Sequence, residues 1–173
     1  NVVMRPARAD DLPHLDEVRQ AAFAPVFASF HSMLGEDIYE LAQAHEDEAQ
    51  GELLISLLAP ESGWKVYAAE RGDMVVGFVA IRLNHDTHVG EIGLNAVHPA
   101  HAGNGVGTAM YEHAIARMTA AGMRVATVST GGEALACAGQ VSPFVGCDLD
   151  NAANCGSGFT IAASVSQTGT TSA

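Results

Sequence analysis

Cationic side chains are scarce in this chain of 173 residues: Lys and Arg number 8 against 20 Asp and Glu, a net charge of −12. A protein that neutralises phosphates needs clustered Lys and Arg, so the deficit argues against nucleic acid and anionic membranes as partners. Long apolar runs are missing too. No stretch approaches the roughly 20 residues that span a bilayer, and the opening NVVMRPARADD lacks the basic-then-apolar order of a secretory leader. A soluble, cytoplasmic protein is expected. Cysteine is confined to Cys137, Cys147 and Cys155, an odd number without a C-x-x-C pair, which points to reduced thiols instead of a disulfide framework.

What is present is a chain with 48% hydrophobic residues and no internal repeat, the size of one domain spanning 1–173. VVMRPA predicts a first strand, and ADDLPHLDEVRQAAF a helix with Asp10 or Asp11 as N-cap and Pro13 in the first turn. From Ser32 to Leu58 the apolar positions Met33, Leu34, Ile38, Leu41, Leu53, Leu54, Leu57 and Leu58 keep a helical period, with Gly35 and Gly51 as breaks. WKVYAAE and MVVGFVAIRLN flank RGD and predict an antiparallel hairpin. In the next strand, HVGEIGLNAV, period-two alternation puts Ile92, Leu94 and Ala96 on one face and Glu91, Gly93, Asn95 and Val97 on the other. TAMYEHAIARMTAAG is a helix with Met110, Ala114, Met118 and Ala121 on one face and Gly122 just past its end. MRVATVST then returns as a strand parallel to its predecessor, because a crossover helix joins them. The fold class is α/β, of the α+β type, with a mixed, mostly antiparallel sheet flanked by helices.

Between strand and helix lies HAGNGVGT, with Gly103, Gly105 and Gly107 at alternate positions. Glycine inside an element costs roughly 0.5–1 kcal/mol relative to alanine, so a bare backbone here implies close approach of a ligand. A helix N-terminus offers unpaired N–H groups and about half a positive charge, the requirements of a phosphate site. Thr108 adds a hydroxyl. A P-loop is excluded, since no lysine follows. A dinucleotide turn fits poorly: Thr108 holds the third glycine position counted from Gly103, and several strands precede it, although Glu133 follows the next strand.

The segment VHPAHAGNGVGT resembles the acetyl-CoA signature of the GNAT superfamily of N-acetyltransferases, matching at Val97, Pro99, Gly103, Gly105, Gly107 and Thr108. The resemblance covers residues 2 to about 130 and implies the acyl-CoA N-acyltransferase fold, acetyl-CoA as cosubstrate, no metal, and transfer of an acetyl group to an amine. It implies cofactor contacts from Asn95, Ala96 and Val97 on the strand and from Ala102, Gly103, Asn104, Gly105, Val106, Gly107 and Thr108 at the turn. Two positions depart from the family. Ala102 stands where the signature has Arg or Gln, and no Tyr follows Tyr111, although the family carries a thiolate-protonating Tyr on a later helix. A non-catalytic acyl-CoA binder or sensor of the same fold is therefore the alternative to an enzyme.

Family position makes Glu91 a candidate general base, which would take a proton from the acceptor ammonium directly or through water. A solvent-facing carboxylate paired with Arg82 is the other reading of the same residue. His85, His88, His98 and His101 invite a zinc reading, but no two are at i, i+4 spacing and no cysteine is near, so loop histidines, substrate contacts or a proton shuttle stand beside it. His101, next to Ala102, is a candidate phosphate donor in place of the missing Arg.

Acceptor contacts implied by family position are Phe27, Phe30, His31, His85 and Asp86. The acidic surface, with HEDEAQGE as its densest part, favours a cationic small-molecule or peptide amine by steering. A homodimer would be unsurprising, through a sheet edge or an exchanged tail.

From Gly131 onward the sequence holds no Lys or Arg and turns rich in Ala, Gly, Ser and Thr. GFTIAASV alternates as a closing strand would. With permitted codons for Ala136 to Gln140, the register displaced by one nucleotide spells His-Ala-Pro-Ala-Arg, a string frequent in the family at this place. A frameshifted C-terminus would account for both the composition and the lost Tyr.

Overall fold

The computed structural model describes residues 1–128 together with 147–148. The expected closing strand in GFTIAASV, the cysteines Cys137 and Cys155, and the displaced-register segment lie outside the described residues. Six strands stand side by side in chain order: β1 (Val3–Pro6), β2 (Trp64–Arg71), β3 (Met74–Asn84), β4 (Val89–Val97), β5 (Val125–Val128) and β6 (Cys147–Asp148). Every neighbouring pair is antiparallel except β4 and β5, which the crossover helix makes parallel. The helices are α1 (Leu12–Leu34), α2 (Glu36–Ala42), α3 (Ala44–Leu58) and α4 (Val106–Ala120).

The sheet is covered on both sides. On one face α4 buries Val106, Met110, Ala114 and Met118 against Tyr67, Val79, Ile81 and Ile92. On the other, Leu15 and Val18 of α1 and Leu54 and Leu57 of α3 close over Val66, Phe78, Ala80 and Ala96. Each fully buried aliphatic side chain contributes about 1.5–3 kcal/mol of transfer free energy, so these two clusters hold the layers together. Ala121, expected on the α4 stripe, is the half-buried C-cap instead. Gly122 follows at φ 78°, with its N–H on Thr119 O and that of Met123 on Met118 O, a double bond pattern that satisfies the last carbonyls of α4.

Asp11 is the N-cap residue of α1, as expected, but makes no side-chain cap bond: its carboxylate accepts from the Arg8 N–H and from Arg5. Two expectations need correction. Gly51 is not a break. α3 runs through it, and the chain divides at Gln43 instead; a Cβ at Gly51 would sit 3.4 Å from Arg19 Nη2, in ordinary contact. Arg19 is buried there, paired with Asp16 and donating to Gln50 Oε1. Finally, the helical period over 32–58 does not mark one buried face: Leu54 and Leu57 are core, whereas Met33, Ile38, Leu41 and Leu53 are exposed. α2 buries none of its residues, so its apolar side chains have no sheet beneath them.

β4 also departs from simple alternation. Ile81 pairs with Ile92 and Val79 with Asn95, so Gly93 and Leu94 together oppose Ala80. That extra residue reverses the parity of the strand. Ile92 joins the α4 face, while Leu94 and Ala96 join the α1/α3 face.

Candidate functional site

At its C-terminal end β4 runs into a single 3₁₀ turn, Pro99–His101, and then the glycine turn. His98 Nδ1 accepts from the Ala100 N–H at 3.2 Å, and its ring meets that of His101 edge-on at 5.9 Å between centroids. The Asn104 amide donates to the carbonyls of His101 and Ala102, which fixes the loop from within. Gly103 and Gly105 both have positive φ, 73° and 76°, conformations that glycine adopts without a Cβ penalty. Gly105 is the N-cap of α4.

This turn is open. Nothing lies within 4 Å of a Cβ built on Gly103 or Gly105, and Gly107 meets only Val97 Cγ2 at 4.0 Å. The first backbone donation at the helix start is from Ala109 N–H to Gly105 O, and among the described residues no backbone acceptor within hydrogen-bonding distance takes the amides of residues 103–108. The first turn of α4 contains no acid. Amides at a helix start, the helix dipole and a missing wall of Cβ atoms are the features an anion site needs.

The strand leading to the turn offers a second row of backbone donors. The N–H of His98 bonds Val76 O, and Ala96 O stands 3.0 Å from the Cβ position of Gly77, so Ala96 and His98 turn their main-chain groups toward β3. By alternation the amides of Asn95 and Val97 face the opposite edge, where β5 accompanies β4 only as far as Ile92 among the described residues. Asn95 and Val97 thus carry this edge, and Ala96 does not share it.

The bulge separates Glu91 from these residues. Asn95 lies on the α4 face, its Oδ1 accepting from the Tyr111 hydroxyl at 3.3 Å, whereas Glu91 lies on the α1/α3 face. The expectation that both occupy one face is overturned by the parity change. Glu91 Oε2 accepts from Arg82 Nη2, and the Arg82 guanidinium also stands over the Trp64 ring at 4.8 Å. Trp64 lies against Gly93, where a Cβ would come within 2.5 Å of the ring. Glu91 is therefore anchored by an ion pair on an aromatic floor beside the bulge.

The remaining expected contacts are dispersed. Phe30 is buried, Phe27 stacks on Phe23 at 6.0 Å, and His31 Nε2 is 2.7 Å from Glu36 Oε2 across Gly35, with Tyr39 edge-on to its ring. His85 and Asp86 are exposed in the β3–β4 turn, at the far end of β4 from the glycines. Among the described residues no three His, Cys, Asp or Glu side chains converge as a metal site would need. A pocket of about 120 Å³, lined by Lys65, Tyr67, Ile81 and Arg117, sits near the C-terminal end of α4, remote from the glycine turn. The sequence reading missed Tyr111 as a polar group at β4. Its signal was an Asn inside an apolar strand and a phenol beside the buried stripe of the next helix.

The model of the Acetyltransferase (GNAT) family matches residues 27–137. Among solved structures, a GNAT family acetyltransferase from Brucella melitensis in complex with acetyl-CoA is 23% identical over 74% of this chain and 75% of its own, with a TM-score of 0.55. The PaiA N-acetyltransferase of Thermoplasma acidophilum in complex with coenzyme A is 15% identical over 76% and 80%, with a TM-score of 0.58. The ribosomal-protein-S18-alanine N-acetyltransferase of Escherichia coli is 14% identical over 74% and 66%, with a TM-score of 0.54. No curated protein matches the chain.

Proposed function

The chain belongs to the GNAT acetyltransferase family, and from that membership we propose that it moves an acetyl group from acetyl-CoA to a primary amine of a small molecule or peptide. The observation that carries the proposal is the row of amides at residues 103–108 that has no acceptor among the described residues, opening α4 beside glycines whose missing Cβ atoms leave room for a diphosphate. Ala102 adds no side-chain donor, so backbone and helix dipole supply the grip.

Bound there, acetyl-CoA supplies an activated acyl group. The Asn95 and Val97 amides, aimed at the edge of β4 that has no strand partner among the described residues, are suited to hold the pantetheine arm and polarise the carbonyl, a preorganised donor pair of the oxyanion-hole kind. Glu91 faces the other side of the sheet, so the acceptor approaches from the α1/α3 face while the cofactor is held from the α4 face. The Glu91 carboxylate takes a proton from the acceptor ammonium, directly or through water. A net charge of −12 draws cationic amines toward it.

One observation favours the second reading, a binder without turnover: Glu91 is already engaged by Arg82. Calorimetric titration with CoA, followed by thiol release from acetyl-CoA across a panel of amines, separates the two. Binding with release supports the enzyme, binding without release the sensor, and absence of binding ends both.

A further inference from the structure

The pocket of about 120 Å³ near the C-terminal end of α4 takes no part in the proposed chemistry. It is a slot on the sheet face that α4 covers, walled by Ile81 and Leu83 of β3 and Ala120 of α4, and its polar groups are Lys65, Tyr67 and Arg117. Among the described residues no acid lines it, in a chain with 20 acids and 8 cations. Lys65, the chain's one lysine, and Arg117 form no ion pair among the described residues, whereas Arg5, Arg19 and Arg82 each hold a carboxylate. Lys65 and Tyr67 stand two apart on β2 and so share this face. Tyr67 is 5% exposed, yet its hydroxyl has no hydrogen-bond partner among the described residues. A phenol this buried ordinarily finds one, because an unmade bond leaves its desolvation uncompensated. A second orphan adjoins it: the His113 ring meets Tyr67 edge-on at 4.6 Å between centroids, and its Nε2 is buried without a partner among the described residues. Burial, and after it the Arg117 charge, lowers the His113 pKa, so this ring is neutral and the positive charge belongs to Lys65 and Arg117.

We propose that this pocket binds a small aliphatic carboxylate, whose anionic end lies between Lys65 and Arg117 and accepts from the Tyr67 hydroxyl while its hydrocarbon body fills the space along Ile81, Leu83 and Ala120. The negative end of α4, about half a unit charge, disfavours an anion here, but two full cations outweigh it. One water needs about 10–15 Å³, so a cavity of about 120 Å³ takes a molecule of several carbon atoms and is oversized for a lone ion. Phosphate suits it less, since apolar walls leave its remaining oxygens without donors. The pocket and the glycine turn lie at opposite ends of α4, so this site stands independently of the acetyltransferase reading.

The test titrates the full chain with isovalerate, with its neutral isostere isovaleramide and with inorganic phosphate. Calorimetry gives the affinities, and NMR of a lysine-labelled sample gives the place, because its one side-chain resonance reports on Lys65 alone. Isovalerate should shift that resonance and bind about tenfold more tightly than the amide or phosphate, the scale of one charge-assisted hydrogen bond. Lys65→Gln and Arg117→Gln should each weaken isovalerate by about tenfold for the same reason. Tyr67→Phe, which keeps the ring and its packing, should weaken it about fivefold. Melting temperatures of the three variants should match that of the wild type, which separates a lost contact from a lost fold. Absence of isovalerate binding at millimolar concentration overturns the proposal, as do binding that leaves the Lys65 resonance unmoved, equal affinity for phosphate or for the amide, and charge variants that bind as the wild type does.

Discussion

Arg5 and Asp11 are joined by two parallel hydrogen bonds, Nη1 to Oδ2 at 2.6 Å and Nη2 to Oδ1 at 2.8 Å. Arg5 Nε also donates to Glu70 Oε1 at 2.7 Å, so the pair ties the start of α1 to β1 and β2. The Arg5 guanidinium, helped by the Arg8 N–H and opposed by partial burial, lowers the Asp11 carboxyl from 3.8 to about 2. A carboxyl depressed on folding stabilises the fold above its unfolded value and loses that contribution as pH falls toward the folded one. Denaturant melts should therefore show a loss of stability between pH 3.8 and about 2 that Asp11→Asn lacks. At neutral pH the variant should be destabilised by about 1–3 kcal/mol, since the Arg5 charge loses its partner. Equal acid profiles for the two proteins would contradict the assignment.

Glu91→Gln keeps the shape of the anchored side chain and removes its basicity. Turnover should fall by about 10²- to 10⁴-fold, with CoA affinity unchanged because the cofactor contacts lie across the bulge. Thiol-release kinetics and calorimetry measure the two quantities separately, and an unaltered rate would remove Glu91 from the chemistry.

Glycines 77 and 103 should respond differently to alanine. A Cβ at Gly77 meets Met110 Sδ at 2.8 Å and the Ala96 carbonyl oxygen at 3.0 Å; the thioether can move but the backbone cannot. Gly77→Ala should cost about 1–3 kcal/mol as overpacking, with an intact glycine turn. At Gly103 there is open space but a φ of 73°, so alanine costs about 1 kcal/mol of backbone strain and puts a methyl group into the anion cradle. Gly103→Ala should weaken CoA binding more than it lowers the melting temperature. Thermal melts with and without CoA distinguish these outcomes, and equal CoA affinity for Gly103→Ala and wild type would refute the cradle.

Ala102→Arg should strengthen CoA binding by about tenfold, because one charge-assisted bond to a phosphate adds to the backbone grip. His101→Ala should weaken it if the imidazole now serves that role. An Arg variant with unchanged affinity would show that the diphosphate lies elsewhere.

Much of this architecture was legible because its signals are local. The hairpin follows from Gly72 between two β-rich runs, the parallel β4–β5 pair from the length of α4, and the open glycine turn from three glycines before a run of helix formers. The bulge was not legible. Gly93 and Leu94 sharing one side of β4 depends on pairing with β3, and an inserted residue leaves composition and local propensity unchanged. The same holds at Asp11, where Arg5, six residues back in the chain, takes the carboxylate in place of the nearer helix amides.

The two faces of the sheet draw on separate stretches of chain. The anion cradle, α4 and the amide edge come from residues beyond Val89, whereas the cover on the Glu91 side comes from α1 and α3, which precede Trp64. On the proposed function, an N-terminal segment grafted from another member of the fold would therefore exchange acceptor preference while leaving the grip on the nucleotide intact.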